Sequence, residues 1–187
     1  MVALIVIVAV IVVLGLLLVT TYNRLVQLRV NCESSFAQID VQLKRRTDLI
    51  PNLVETVKGY AAHERGTFEA VTQARAAAVS AQGSDPAERA QAENMLTRAL
   101  GGLLAIAEAY PDLKANQNFL ELQTELSDTE DKISVARQVY NDVVNSYNSA
   151  IQVFPAVLIA GMMGFQKREF FEADEGSREA PQVSFAQ

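Results

Sequence analysis

The chain has one cysteine, one histidine, and only 16 lysines and arginines against 22 carboxylates. Each scarcity removes a class of chemistry. A lone Cys32 cannot close an internal disulfide, which fits a reducing compartment. Tetrahedral zinc sites draw mainly on cysteine and histidine. His63-Glu64 opens like the His-Glu-x-x-His helix of zinc proteases, but the position of the second histidine is Thr67. Carboxylate-bridged metals in helical bundles need a Glu-x-x-His pair from each of two helices, and one histidine cannot serve both. No metal and no cofactor is therefore expected. A net charge of −6 argues against nucleic acid as a partner, because phosphate binding needs concentrated positive charge. The one basic run, Lys44-Arg45-Arg46, reads as cations favourably placed at a helix C-terminus. There is no Gly-x-Ser-x-Gly and no phosphate-cradling glycine loop. Cys32 lies on an apolar stripe, where a buried, inert thiol is expected rather than a nucleophile beside a base. The residues predict no enzyme and no catalytic group.

What the chain does have is an unbroken apolar run over residues 2–19, VALIVIVAVIVVLGLLLV. Eighteen residues rising about 1.5 Å each give roughly 27 Å, close to the hydrocarbon thickness of a bilayer. The run lacks a basic start and a small-x-small exit, so it is expected to stay as an anchor over residues 1–21 rather than be cleaved. Arg24 and Arg29 follow within ten positions. Basic flanks stay in the cytoplasm, which predicts a single-pass protein of the cytoplasmic (inner) membrane, its N-terminus outside and the rest inside.

Beyond the anchor the periodicity is helical throughout, and the fold class expected is all-α, an N-terminal transmembrane helix continuing into an antiparallel up-down four-helix bundle over residues 22–154. Leu25, Leu28, Cys32, Phe36, Ile39 and Leu43 recur at steps of three or four, with no break from the anchor. This first helix is expected to end near Arg46. Thr47 and Asp48 as caps and Pro51 in a first turn predict a second helix reaching Ser80, with Gly59 and Gly66 inside it at points of close contact or bending. Asp85, Pro86 and Glu88 make a capping-box start for a third helix, which stops before Tyr110-Pro111. A fourth is expected from about Asp112 to Val153. Its Phe119, Leu126, Ile133, Tyr140, Tyr147 and Phe154 stand seven apart, a coiled-coil-like stripe.

Residues 155–165 are apolar but too short to span, so they are expected to lie at the membrane surface or to cap the bundle end. The remaining tail to residue 187 is acidic, and Pro181-Gln-Val-Ser-Phe185 within it is expected to be extended. The polar residues on inner faces form the candidate site. Glu130 and Arg137 flank the apolar seam, Asn141 and Asn148 continue the row, and Tyr140, Tyr147 and Arg75 join it. The Tyr-Asn pairs at Tyr22, Tyr140 and Tyr147 could meet at one membrane-proximal level. A structural network that fixes helix register explains such a row more simply than a ligand site.

A set of short motifs in this order resembles the LemA family of bacterial membrane proteins. They are Tyr22-Asn-Arg-Leu-Val, Arg46-Thr-Asp-Leu-Ile-Pro-Asn-Leu-Val54, Tyr60-Ala-Ala-His-Glu64 and Ala74-Arg75, then Tyr110-Pro-Asp-Leu-Lys-Ala-Asn-Gln-Asn-Phe-Leu-Glu-Leu-Gln123. Thr129-Glu130, Ala136-Arg137, Tyr140-Asn141, Tyr147-Asn148, Phe154-Pro155, Gly164-Phe165, Phe170-Phe171-Glu172 and Pro181-Gln-Val-Ser-Phe185 complete the set. The resemblance implies a four-helix, bundle-like cytoplasmic domain behind one span and no established activity. It also implies companions among other membrane proteins, a membrane metalloprotease or a TPM-domain protein among them. The reading is a membrane-anchored scaffold or adaptor of the bacterial envelope, in contact with the lipid bilayer and self-associating as a homo-oligomer. The runner-up is a membrane-proximal ligand or lipid sensor. The anchor has glycine only at Gly15 and no Gly-x-x-x-Gly pairing motif, so assembly would come from the bundle and residues 155–165.

Overall fold

The computed structural model describes residues 1–172, so Pro181–Phe185 and most of the acidic tail lie outside the described residues. Among those described there is no strand, and the chain is all-helical as expected. Helix α1 runs unbroken over Val2–Lys58, followed by α2 (Arg65–Ser80), α3 (Pro86–Ala109), the single turn α4 (Pro111–Lys114) and α5 (Gln117–Ala150). A 3-10 turn, Ala156–Leu158, comes after them. The helices form two compact units: Met1–Gln38 with Gln138–Arg168, and Ile39–Arg137 with the described residues from Glu169.

In the first unit, the apolar stretch of α1 is long and apolar enough to cross a membrane, and none of it is buried by the rest of the chain. A core helix of a soluble protein would be covered. Eighteen uncovered residues carrying seventeen apolar side chains would be untenable in water, and a bilayer accounts for them. Past Thr20, Leu25 and Cys32 are buried on α1, and Tyr140, Val144 and Tyr147 on α5. The rings of Phe36 and Tyr140 pack 5.4 Å apart, tilted at 57°. Residues 151–165 carry the chain on past α5, and Phe165 meets Tyr22 edge-on at 5.8 Å.

The second unit holds the main core, where Leu53 and Val57 of α1, Val71 of α2, Leu100 and Leu103 of α3 and Phe119 of α5 pack together. Cross-links give the helix directions. Arg46 reaches Glu130 and Asn116 reaches Tyr60, so residue numbers rise on α1 as they fall on α5. Arg89 pairs with Asp40 and Arg46 with Glu93, so α3 runs parallel to α1. Arg75 reaches back to Thr47, so α2 is antiparallel to α1. This is the expected up-down-up-down bundle.

Three helix boundaries differ from the sequence expectation. The first helix does not end near Arg46 but continues through Pro51 to Lys58. An interior proline removes the amide that would bond the carbonyl four residues back, here Thr47, and Arg75 Nε donates to that carbonyl at 3.0 Å. The orphaned acceptor is satisfied from α2 and the helix continues. Thr47 is not a cap: its hydroxyl donates to Leu43 O at 2.8 Å. Consequently Gly59 sits in the turn after α1 and Gly66 in the first turn of α2, where a Cβ would meet nothing within 4 Å. The close contact expected at Gly66 is absent. The fourth helix is interrupted: α4 is followed by an Asn116 cap, whose Oδ1 accepts from Phe119 N at 3.0 Å, and α5 ends at Ala150 rather than Val153. The third helix starts as read, Asp85 Oδ1 accepting from Glu88 N at 2.9 Å, and Gly83 takes the positive φ of 85° that its preceding turn requires.

A double-mutant cycle tests the proline compensation. Arg75→Ala is expected to cost about 1–3 kcal/mol in unfolding free energy, the usual penalty for orphaning a buried acceptor. In a Pro51→Ala background the restored amide satisfies Thr47 O, so the Arg75→Ala cost should fall at least by half. An unchanged cost would show that Arg75 acts elsewhere.

Candidate functional site: a buried ion network

The centre of the second unit is charged. Arg46 and Arg89 are each 1% exposed and Glu93 is 3% exposed. Arg46 holds three helices together: its Nη2 pairs with the Glu93 carboxylate, and its Nη1 reaches Glu130 Oε1 at 2.7 Å and Thr97 Oγ1 at 2.8 Å. The same Nη2 donates to the Glu93 carbonyl at 3.3 Å. Arg89 lies on the other side of Glu93, its Nη2 3.3 Å from Glu93 Oε1 and its Nε 3.6 Å from Asp40 Oδ1. Its Nη1 donates to Ala78 O, one of the last carbonyls of α2, which have no partner within their own helix. A cation is also favoured at a helix C-terminus, so Arg89 caps α2 from α3. Burial pushes the Asp40 carboxyl above its usual range, with Arg89 pulling the other way.

The candidate row from the sequence divides between the two units. Glu130, Arg137 and Arg75 belong to the second. Glu130 pairs with Arg46 there, and Arg137 lies over the Phe171 ring, 5.0 Å from its centroid. Burial lowers the Arg137 guanidinium pKa first, the Arg46 charge lowers it further, and Glu130 opposes both. Arg75 serves Thr47. Tyr140, Asn141, Tyr147 and Asn148 belong to the first unit. Asn148 is buried and clamps the backbone of Arg168, accepting from its N and donating to its O, both at 2.8 Å. Arg168 in turn pairs with Glu33 at 2.7 Å. Burial pushes the Tyr147 hydroxyl up, with Arg168 and Arg29 opposing. Tyr22 meets Phe165, and Tyr140 meets Phe36.

The hub residues Arg46, Arg89 and Glu93 escaped the sequence reading, and Arg46 is not a helix-end cation but a core residue of an uninterrupted helix. A signal was present. Leu25, Cys32, Ile39, Arg46 and Leu53 are each seven apart on α1, and all five are buried. Arg89 and Glu93 lead into Leu96, Leu100 and Leu103 at the same three–four spacing. A charge on an apolar stride marks a buried pair more specifically than one beside it. His63, by contrast, is exposed in the turn between α1 and α2.

Chemically, this arrangement binds helices. The Arg46 hydrogen bonds end on partners inside the unit, and no group of three or more potential metal ligands occurs among the described residues. The class so defined is a helical bundle with buried charge pairs between its helices, whose first helix begins as an apolar segment of membrane length. The chain belongs to the LemA family, which it matches over residues 35–185. It is 28% identical over 156 residues to Protein LemA of Metamycoplasma hominis, covering 83% of this chain and 71% of that one. It is 26% identical over 179 residues to Magnetosome protein MamQ 2 of Paramagnetospirillum magneticum, covering 83% and 66%. With Magnetosome protein MamQ of Magnetospirillum gryphiswaldense the identity is 27% over 178 residues, covering 82% and 65%. The match thus spans about two thirds of the MamQ chains.

Proposed function

We propose that the protein is a non-enzymatic membrane-tethered scaffold that binds other membrane or envelope proteins and self-associates through its bundle. The observation carrying this reading is that the buried charges of the second unit are used on each other. Arg46, Glu93 and Glu130 tie three helices together, so these charges act between helices. The exposed faces are left as the working surface. Val41 on α1 and Val135 on α5 are both 63% exposed, and the Arg46–Glu130 register sets them level with each other.

A photo-crosslinking residue placed at Val41 or Val135 in cell membranes should yield discrete adducts with membrane proteins or with a second copy. Absence of adducts at both, together with a stoichiometric small molecule in native mass spectrometry, would replace the scaffold by the ligand-sensor reading. On charge grounds the bundle is assigned to the cytoplasmic side of the inner membrane, since Arg24 and Arg29 follow the apolar run. A C-terminal alkaline phosphatase fusion should be inactive and a green fluorescent protein fusion bright. The reverse pattern would place the bundle outside.

A further inference from the structure

The first unit carries a second apolar surface, and it sits at a defined height above the membrane segment. Residues 153–166 contain no charged side chain. Three of them stand out of the fold: Phe154 is 78% exposed, Leu158 65% and Met162 90%. The segment is nevertheless held in place. Ala156, Ala160 and Phe165 are buried, Phe165 meets Tyr22, and Arg29 stacks over the Phe165 ring at 5.4 Å. Immediately after it, Asn148 grips the Arg168 backbone.

Height follows from register. The antiparallel Phe36–Tyr140 pair sets Ala150, the end of α5, level with Val26 of α1. Val26 lies seven residues past the apolar run, or about 10 Å along the helix at 1.5 Å per residue. Residues after Ala150 continue in α5's direction, toward the membrane, and by Phe165 they have reached Tyr22, only about 4.5 Å past the run. Headgroups occupy roughly 5–8 Å on each face of a bilayer. Residues 153–163 therefore lie at the level of the headgroup layer, with Lys167 exposed just after them in the chain and Arg24 exposed on α1 at the same level.

We propose that residues 153–163 form a second membrane contact, inserted in the interface of the same bilayer that α1 enters. Phe154, Leu158 and Met162 supply the apolar face that interfacial segments bury, and Arg24 and Lys167 meet lipid phosphates. A single spanning helix leaves rotation about its axis free, and a contact to one side removes that freedom. The bilayer is favoured over a protein occupant because the surface is continuous in height with the anchor and flanked by cations, in a chain that is acidic overall.

The test uses the full chain in lipid nanodiscs of phosphatidylcholine and phosphatidylglycerol at one chain per disc. An environment-sensitive fluorophore is attached at Met162→Cys, at Leu158→Cys, or at Val139→Cys as the aqueous reference. Cys32 is fully buried with its thiol pKa pushed up by that burial, so the natural cysteine stays unlabelled. Both segment positions should show blue-shifted emission, several-fold weaker quenching by aqueous iodide than Val139→Cys, and quenching by lipids spin-labelled near the headgroup. Met162 packs against little, so its substitution tests the contact without testing the fold. Water-like emission and full iodide quenching at both positions would overturn the proposal. So would protection that appears only with two chains per disc, which would assign the surface to a second copy.

Discussion

Arg46→Met is expected to lower the unfolding free energy by about 3–5 kcal/mol, the cost of removing one partner from a buried ion pair. The substitution keeps most of the side-chain volume, so the loss reports charge rather than a cavity. It leaves Glu93, almost wholly buried, with Arg89 alone at 3.3 Å, and strips Glu130 of its 2.7 Å partner. For a protein of this size each kcal/mol moves the midpoint by about 2–4 °C, and circular dichroism of the full chain in detergent would resolve the shift easily. Adding Glu93→Gln to Arg46→Met should not restore stability, since it removes the carboxylate that the buried Arg89 also pairs with. The two changes share one network and will not be additive. A loss under about 1 kcal/mol for Arg46→Met would mean that water reaches the network and that it does not lock the bundle.

The second large effect separates two phenylalanines that the sequence makes look equivalent. Phe119→Ala is expected to cost about 3–5 kcal/mol, because Phe119 is 2% exposed in the main core and its removal leaves a cavity. Phe154→Ala belongs to the same seven-residue series but should change folding stability by no more than about 0.5 kcal/mol, being far from buried by the chain. Equal losses for both would show that the heptad stripe continues past α5 and that residues beyond Ala150 pack as helix in solution.

The contrast shows where a pattern stops being informative. Phe119, Leu126, Ile133, Tyr140 and Tyr147 all lie on α5 and all are buried. Phe154 shares their spacing, but α5 has ended four residues earlier, so the period no longer maps onto a helix face. A seven-residue stride implies burial only while the backbone remains helical. Pro51 is the converse. Local rules read Thr47, Asp48 and Pro51 as a helix start, yet a guanidinium 28 positions away supplies the hydrogen bond that the proline cannot.

The amino-acid order alone determined the elements whose causes are local. These are the membrane-length apolar run, the helical periodicity, the Asp85–Pro86 cap and the break at Tyr110, and from the short connections the up-down bundle. Each follows from side chains within a few turns of one another, whose hydrophobic or hydrogen-bonding preferences are nearly independent of the rest of the fold. The tertiary structure decided which charges are buried and whom they meet. Arg46 joins Glu93 and Glu130 across 47 and 84 positions, and Arg89 closes the end of α2 from the helix that follows. The sequence can show a charge on an apolar stride but not its partner. A buried ion is tolerable only where packing brings an opposite charge and hydrogen-bonding groups to it, and that condition is met only when the helices assemble.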